Sequence, residues 1–243
     1  MAFGDTVQSA SGTNTSGNAS ATLASGATAG NLLIFAVGRA VTHGIGGSWG
    51  TPTGFTDLPN SGVNNGNLAG GGWYKIATGG ETTVSSNGTS EQGNWCAALV
   101  ELEGPFDASP LDQIAEDEAN LATVVTSQPS GTTGTTAQAD ELAIAYFAAD
   151  NGSNVDGGGT RNYSNSFTEV LFANSGARAS AHVAKRVLSA TGTFSCTFSV
   201  TDTGDEMYGA IATFKKQAAA GGGTFTRIAG ERFGLAGGKG LAA

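Results

Sequence analysis

Charge is scarce in this sequence: Asp, Glu, Lys and Arg together make up 13% of the 243 residues, about half the usual share. Disordered chains combine low hydrophobicity with abundant charge, so the shortage argues for an ordered fold. Basic residues are scarcest, 11 against 20 acids, for a net charge of −9. A wrapper of nucleic acid needs a basic face to displace counterions from phosphate, and the body of this chain has none. Two cysteines, Cys96 and Cys196, stand in separate apolar runs and read as buried free thiols rather than a disulfide framework. Two histidines, His43 and His182, are too few and too isolated for a metal site. No run of about 18 apolar residues is present to span a bilayer as a helix. The opening MAFGDTVQSASG has neither the basic nor the apolar stretch of a signal peptide, so the expected place of synthesis is a cytoplasm.

What is abundant is glycine, 39 residues, together with Thr, Ser, Asn and Ala between short apolar runs. That pattern describes many strands joined by turns, and the expected fold class is all-β. NLLIFAV from Asn31 and ELAIAYF from Glu141 are near-continuous apolar runs suited to strands buried on both faces. AALVELEG from Ala97 alternates, with Ala98, Val100 and Leu102 on one face and Leu99, Glu101 and Glu103 on the other, as a half-buried strand does. THGIGGSWGTP, NSGVNNGN and NGSNVDGGG read as loops. The acid-rich FDASPLDQIAEDEANLAT from Phe106 reads as a solvated turn or short helix.

Five segments recur in the same order, 110 to 114 residues apart. NLLIFAV matches ELAIAYF; GFTDL at Gly54 matches SFTEV at Ser166. NSG at Asn60 matches NSG at Asn174, and AALVEL matches GAIATF from Gly209. WYKIATGGETTVSS from Trp73 falls opposite VAKRVLSATGTFSC from Val183, with Lys75 over Lys185. Colinearity argues for two tandem antiparallel β-sandwich, jelly-roll-like units at residues 1–104 and 105–216. Each is expected to pack two sheets about 10 Å apart and to superpose on the other, Phe55 over Phe167 and Leu33 over Ala143. Residues 217–243 break the pattern: a small-residue linker, QAAAGGG, precedes TFTRIAGERFGLAGGKGLAA. This tail holds Arg227, Arg232 and Lys239 against Glu231, hence +2, so the rest of the chain carries −11. Its Phe225, Arg227, Ile228, Arg232, Phe233 and Leu235 offer charge and apolar anchors for docking on another chain.

Chemistry is hard to find. The elbow G-x-S-x-G, the phosphate loop G-x-x-x-x-G-K-[ST] and the EF-hand spacing are missing, and no catalytic residue, metal ligand or cofactor is assigned. Glu101 and Glu103, about 6–7 Å apart by strand rise, meet the spacing of a glycosidase pair. Thr213 and Lys215 stand in the second unit's equivalent places, which favours a solvent-facing charged edge. Trp49, Trp73 and Trp95, with Tyr74, are candidates to stack on sugar rings; Trp73 and Trp95 read as core or half-core strand residues, whereas Trp49, in a glycine-rich loop, is the aromatic best placed for a ligand or an interface.

The string AGNLLIFAV, PTGFTDL, WYKIATGGETTV and WCAALVELEG resembles a β-sandwich unit of tailed-bacteriophage structural proteins and related bacterial surface proteins. The first unit carries these elements from Gly30, Pro52, Trp73 and Asn94; the second keeps the Phe-Thr and Lys positions and loses the Trp-Tyr pair and the Gly-x-Glu. The resemblance implies a non-enzymatic virion protein, a capsid decoration or cement protein bound to the major capsid protein and to copies of itself. It also implies the alternative of a tail-fibre or receptor-binding module that takes a glycan. Neither reading implies a nucleic-acid or membrane partner.

Overall fold

A computed structural model describes residues 1–40, 50–59, 68–87, 92–119, 123–150, 160–176, 179–201 and 204–218. The described chain is all-β. Its first half supplies β1 (Thr6–Ser16), β2 (Ser20–Thr22), β3 (Leu32–Ala40), β4 (Thr56–Asp57), β5 (Leu68–Ile76), β6 (Thr83–Ser85) and β7 (Gln92–Leu102). Its second half supplies β8 (Phe106–Asp117), β9 (Ser127–Pro129), β10 (Glu141–Asp150), β11 (Arg161–Tyr163), β12 (Thr168–Asn174), β13 (Ala179–Val187), β14 (Thr197–Val200) and β15 (Glu206–Lys216).

Each half builds one five-stranded antiparallel sheet, in the orders β1-β7-β3-β5-β4 and β8-β15-β10-β13-β12. The two orders are the same strand for strand. Each half also adds a smaller sheet, β2-β6 in the first and β11-β14-β9 in the second. The chain passes from one large sheet to the other between Leu102 and Phe106, through a cis peptide bond before Pro105.

Each half packs its large sheet on its own small one, and the two halves share a further core between their large sheets. The largest core lies between the two large sheets: Leu32, Ile34, Val100 and Leu102 face Leu142, Ile144, Tyr146 and Phe214. The opposite faces of the large sheets are covered by the small ones. Ala21, Leu23 and Val84 pack on Leu33, Phe35, Trp73 and Leu99 in the first half. Phe198, Val200 and Cys196 pack on Ala145, Phe147 and Ile211 in the second. Four layers result, and both β3 and the first nine residues of β10 are buried along their whole length. That arrangement is why these strands read as continuous apolar runs rather than alternating ones.

The seam between the large sheets is close. A Cβ on Gly38 would stand 2.1 Å from the Ser180 carbonyl oxygen, and one on Gly72 would stand 2.7 Å from Cζ of Tyr146. Only glycine lets the two sheets approach there. Tyr74 meets Phe214 edge-on at 5.2 Å, and the Tyr146 hydroxyl donates to the Pro59 carbonyl across the same seam.

Two local expectations fail. Residues from Phe106 form β8, an edge strand, not a turn or helix: Pro110 removes a helical amide and clashes with the preceding turn. The acids of β8 are the charges that an exposed sheet edge carries. β7 is likewise not half-buried, since Ala97 through Leu102 are all fully buried. β7 lies between β1 and β3, and segment 19–28 with β6 covers its outer face.

Candidate functional site

The strands of the two large sheets run in the same direction. Gly38, late in β3, abuts Ala148, late in β10. Gly4, bonded to the Glu103 carbonyl just beyond the start of β3, abuts Leu142, early in β10. One pole of the molecule therefore gathers the starts of β3 and β10, the β7-to-β8 crossing, the N-terminus and the exit of β15. Gln217 donates to the Pro105 carbonyl at 3.0 Å as the chain leaves this pole. Two open clefts flank Gln217. One, about 660 Å³, is lined by Pro105, Gln138, Asp140 and Lys216. The other, about 420 Å³, is lined by Thr28, Asn31, Glu103 and Phe106.

A buried carboxylate underlies each half at this pole, and the two are placed in mirror fashion on their strands. In the first half Glu101, near the end of β7, accepts from Nε2 of Gln8 (2.6 Å), the Thr28 amide (2.8 Å) and Nδ2 of Asn31 (2.7 Å). Burial pushes its carboxyl up, but these hydrogen bonds outweigh burial and hold it below the ordinary carboxylate range. In the second half the acid sits at the start of β10 instead: Glu141 occupies the place of Asn31, and Thr213 the place of Glu101. Glu141 is fully buried, and its carboxyl is raised by burial and by the negative charge of Asp112. The expectation that Glu101 lies on a solvated edge is thus corrected. Glu103 is half-exposed beside it. Glu101 is saturated with donors and closed off from water, so the pair lacks the accessible acid that glycoside hydrolysis needs.

A polar chain that sequence reasoning missed crosses the second half. Ser180 Oγ lies 3.0 Å from Nε2 of His182, whose Nδ1 lies 3.2 Å from the Tyr163 hydroxyl. Tyr163 donates to Glu169 (2.9 Å), and Glu169 is clamped by Nε of Arg161 (2.8 Å). With Tyr163 donating onward, Nδ1 carries the imidazole proton and Nε2 accepts from Ser180. His182 is sandwiched between Phe172 and Phe198, with ring centroids at 4.8 and 4.4 Å. Burial, aided by the charge of Arg161, lowers its pKa to about 3, so it is neutral under ordinary conditions. The order serine, imidazole, hydroxyl, carboxylate has the polarity of a nucleophile relay. Yet Ser180 and His182 are completely buried, with the backbone of β3 against Ser180. No carbonyl substrate reaches this serine, and the chain acts as a brace between the second large sheet and its covering sheet. The signal in the sequence was the spacing of Ser180 and His182, two apart and therefore on one strand face.

The residues that carry the family resemblance also meet in space. Nε1 of Trp73 donates to Asp57 at 2.7 Å, and Thr51 donates to the same oxygen at 2.6 Å. Lys75 pairs with Glu81 at 2.7 Å, and Glu81 also accepts from the Thr78 and Gly79 amides at 2.8 and 2.9 Å. Burial pushes the Glu81 carboxyl up, but the bonds from Lys75 and Thr78 bring it down to about 2. These contacts latch β4 and the β5–β6 turn to the sheet; they are structural. In the second half the strand partners shift by one residue. Leu33 faces Lys75, whereas Ala143 faces Arg186, so Lys75 corresponds to Arg186 and Tyr74 to Lys185. The expected pairing of Lys75 with Lys185 is corrected accordingly. A one-residue slip turns a side chain to the opposite face. Lys185 therefore points into the seam, where Nζ donates to the Gly4 carbonyl (2.6 Å) and Thr6 Oγ1 (2.9 Å), tying the first half to the second.

Trp73 and Trp95 are buried strand residues. Trp49 and the tail residues Phe225, Arg227, Ile228, Arg232, Phe233 and Leu235 lie outside the described residues. No family model, no curated protein and no solved structure matches the chain.

Proposed function

We propose that this chain is a non-enzymatic virion structural protein, a capsid decoration or cement protein that binds the phage shell through its C-terminal arm. One observation carries the reading. A tail of net charge +2 that carries Phe225, Ile228, Phe233 and Leu235 follows a body of net charge −11. That tail leaves at a pole with an open cleft on either side of Gln217. The seam glycines and the shared core support the same reading, because a close-packed body suits a load-bearing part. The strand-for-strand likeness of the two halves is best understood as a tandem repeat, in line with the colinear sequence matches.

The partner in this reading is the major capsid protein together with neighbouring copies of the chain. Fixing a tail of about 20 residues costs on the order of 1–2 kcal/mol per residue. Burying its four large apolar side chains returns roughly 1.5–3 kcal/mol each. Docking therefore also needs main-chain hydrogen bonds and the avidity of many copies. The test is a chain ending at Ala218, added to particles stripped of the protein. The truncated chain should stay folded and fail to rebind, while the full chain restores occupancy. Full occupancy by the truncated chain would refute the arm as the attachment device.

A further inference from the structure

Among the described residues β8 ends its sheet with β15 as its one strand partner, while Gln128 bonds the Asp117 carbonyl and Ala137 the Asp112 side chain from the covering segment. Such an edge presents unpaired amides and carbonyls, a template for an added strand. It starts where the tail starts, since Lys216 pairs with Phe106 and Gln217 bonds to Pro105. The strand displays an exposed apolar residue, Ile114 (51% exposed), amid Asp107, Asp112, Glu116 and Asp117, with Glu118 following. Between Lys75 and Arg161 the sequence has no lysine or arginine to neutralise these acids. In the extended form the segment FTRIAGERF of the tail would place Thr226, Ile228, Gly230 and Arg232 on one face and Phe225, Arg227, Ala229, Glu231 and Phe233 on the other, two arginines against one acid.

We propose that residues 225–233 of one copy add as a strand to the β8 edge of a second copy. Arg227 and Arg232 would then meet the acids of β8, and the apolar residues would cover Ile114. The occupant is a neighbour's tail rather than the chain's own. The linker, residues 217–223, reaches about 23 Å fully extended. β8, at 12 residues, is about 40 Å long. The chain's own tail can therefore pair antiparallel only with the first part of β8, and reaches the Ile114–Asp117 stretch only by running parallel to it, the less stable pairing per residue. A neighbour's tail can enter from the far end and pair antiparallel. Copies joined in this way form a chain or closed ring over a surface, because the contact is between unlike patches. The inference rests on the proposed role of the arm and names its acceptor.

The experiment is cysteine cross-linking of the full chain; the native Cys96 and Cys196 are both buried. Ile114→Cys and Ile228→Cys are made as separate proteins, mixed, and treated with a short bifunctional thiol reagent. Glu116→Cys, also exposed and two residues further along β8, replaces Ile114→Cys if that variant fails to fold. A covalent dimer should form in the mixture. Its yield should fall by about tenfold when Arg227→Glu and Arg232→Glu are added to the Ile228→Cys chain, and should fall with added salt. Two outcomes overturn the proposal: no cross-link in any mixture, or a cross-link only within a single chain carrying both cysteines. If no cross-link forms and truncation after Ala218 still abolishes particle binding, the arm reading stands and its acceptor is another protein.

Discussion

Three buried ionisable side chains set the pH response of this fold, and they act with different signs. Glu101 has a carboxyl held low in the folded state, so its contribution is present above its unfolded pKa and is lost as the pH falls through the folded value. Glu141 has a raised carboxyl, so its contribution is present at low pH and is lost as the pH rises. Near neutrality, Glu101→Gln should therefore destabilise the protein, leaving Gln8 and Asn31 with a competing donor, by about 1–3 kcal/mol. Glu141→Gln should raise the melting temperature at the same pH, since an amide can sit beside Asp112 without a second negative charge. Thermal melts of both variants at pH 7 check this, and shifts of the same sign would contradict it. His182, lowered to about 3, adds stability above its unfolded pKa that is lost as the pH falls toward 3. Residue pattern alone does not reveal these networks. Glu101 looked like a solvent-facing residue because alternation cannot reveal that a distant segment, 19–28, closes over it. Trp49 remains the residue for the alternative, glycan-binding reading. Reproducible hits on a glycan array, lost in Trp49→Ala, would move the assignment to a receptor-binding module.

At the scale of elements, the seam makes the sharpest demand. Gly38→Ala would force a Cβ against the Ser180 carbonyl, a backbone atom that cannot rotate away. The variant should lose at least about 3 kcal/mol, the upper range for overpacking, and roughly 6–12 °C in melting temperature. A melt within about 2 °C of the parent would show that the sheets are further apart than described. β3 and β10 were legible because burial on both faces leaves an unbroken apolar run that alternation cannot mimic. β8 was not, because the charges that protect a sheet edge resemble those of a solvated helix, and only Pro110 spoke against one. The slip between β5 and β13 was equally invisible. Two lysines aligned in sequence, yet the pairing with β3 and β10 places them on opposite faces, one in a latch and one in the seam.

At the scale of the whole molecule, the two halves share their largest core. Residues 1–104 expressed alone would expose Leu32, Ile34, Val100 and Leu102 to water and should be insoluble or aggregate, whereas both halves produced together should associate. A soluble first half with its own sharp melt would contradict a shared core. The like strand order of the two halves accords with the five colinear matches, but the way the halves face one another was not readable, because apolar runs buried on both sides do not say which sheet covers which face. In the proposed role the acidic body is the block and the tail supplies the reach. The measurement that tests the functional account most directly is the copy number of this chain in purified particles, resolved into head and tail fractions by quantitative mass spectrometry. A cement protein held by many-copy avidity should be present at on the order of hundreds of copies per particle, all with the head. A handful of copies with the tail, or none in the particle, would contradict it.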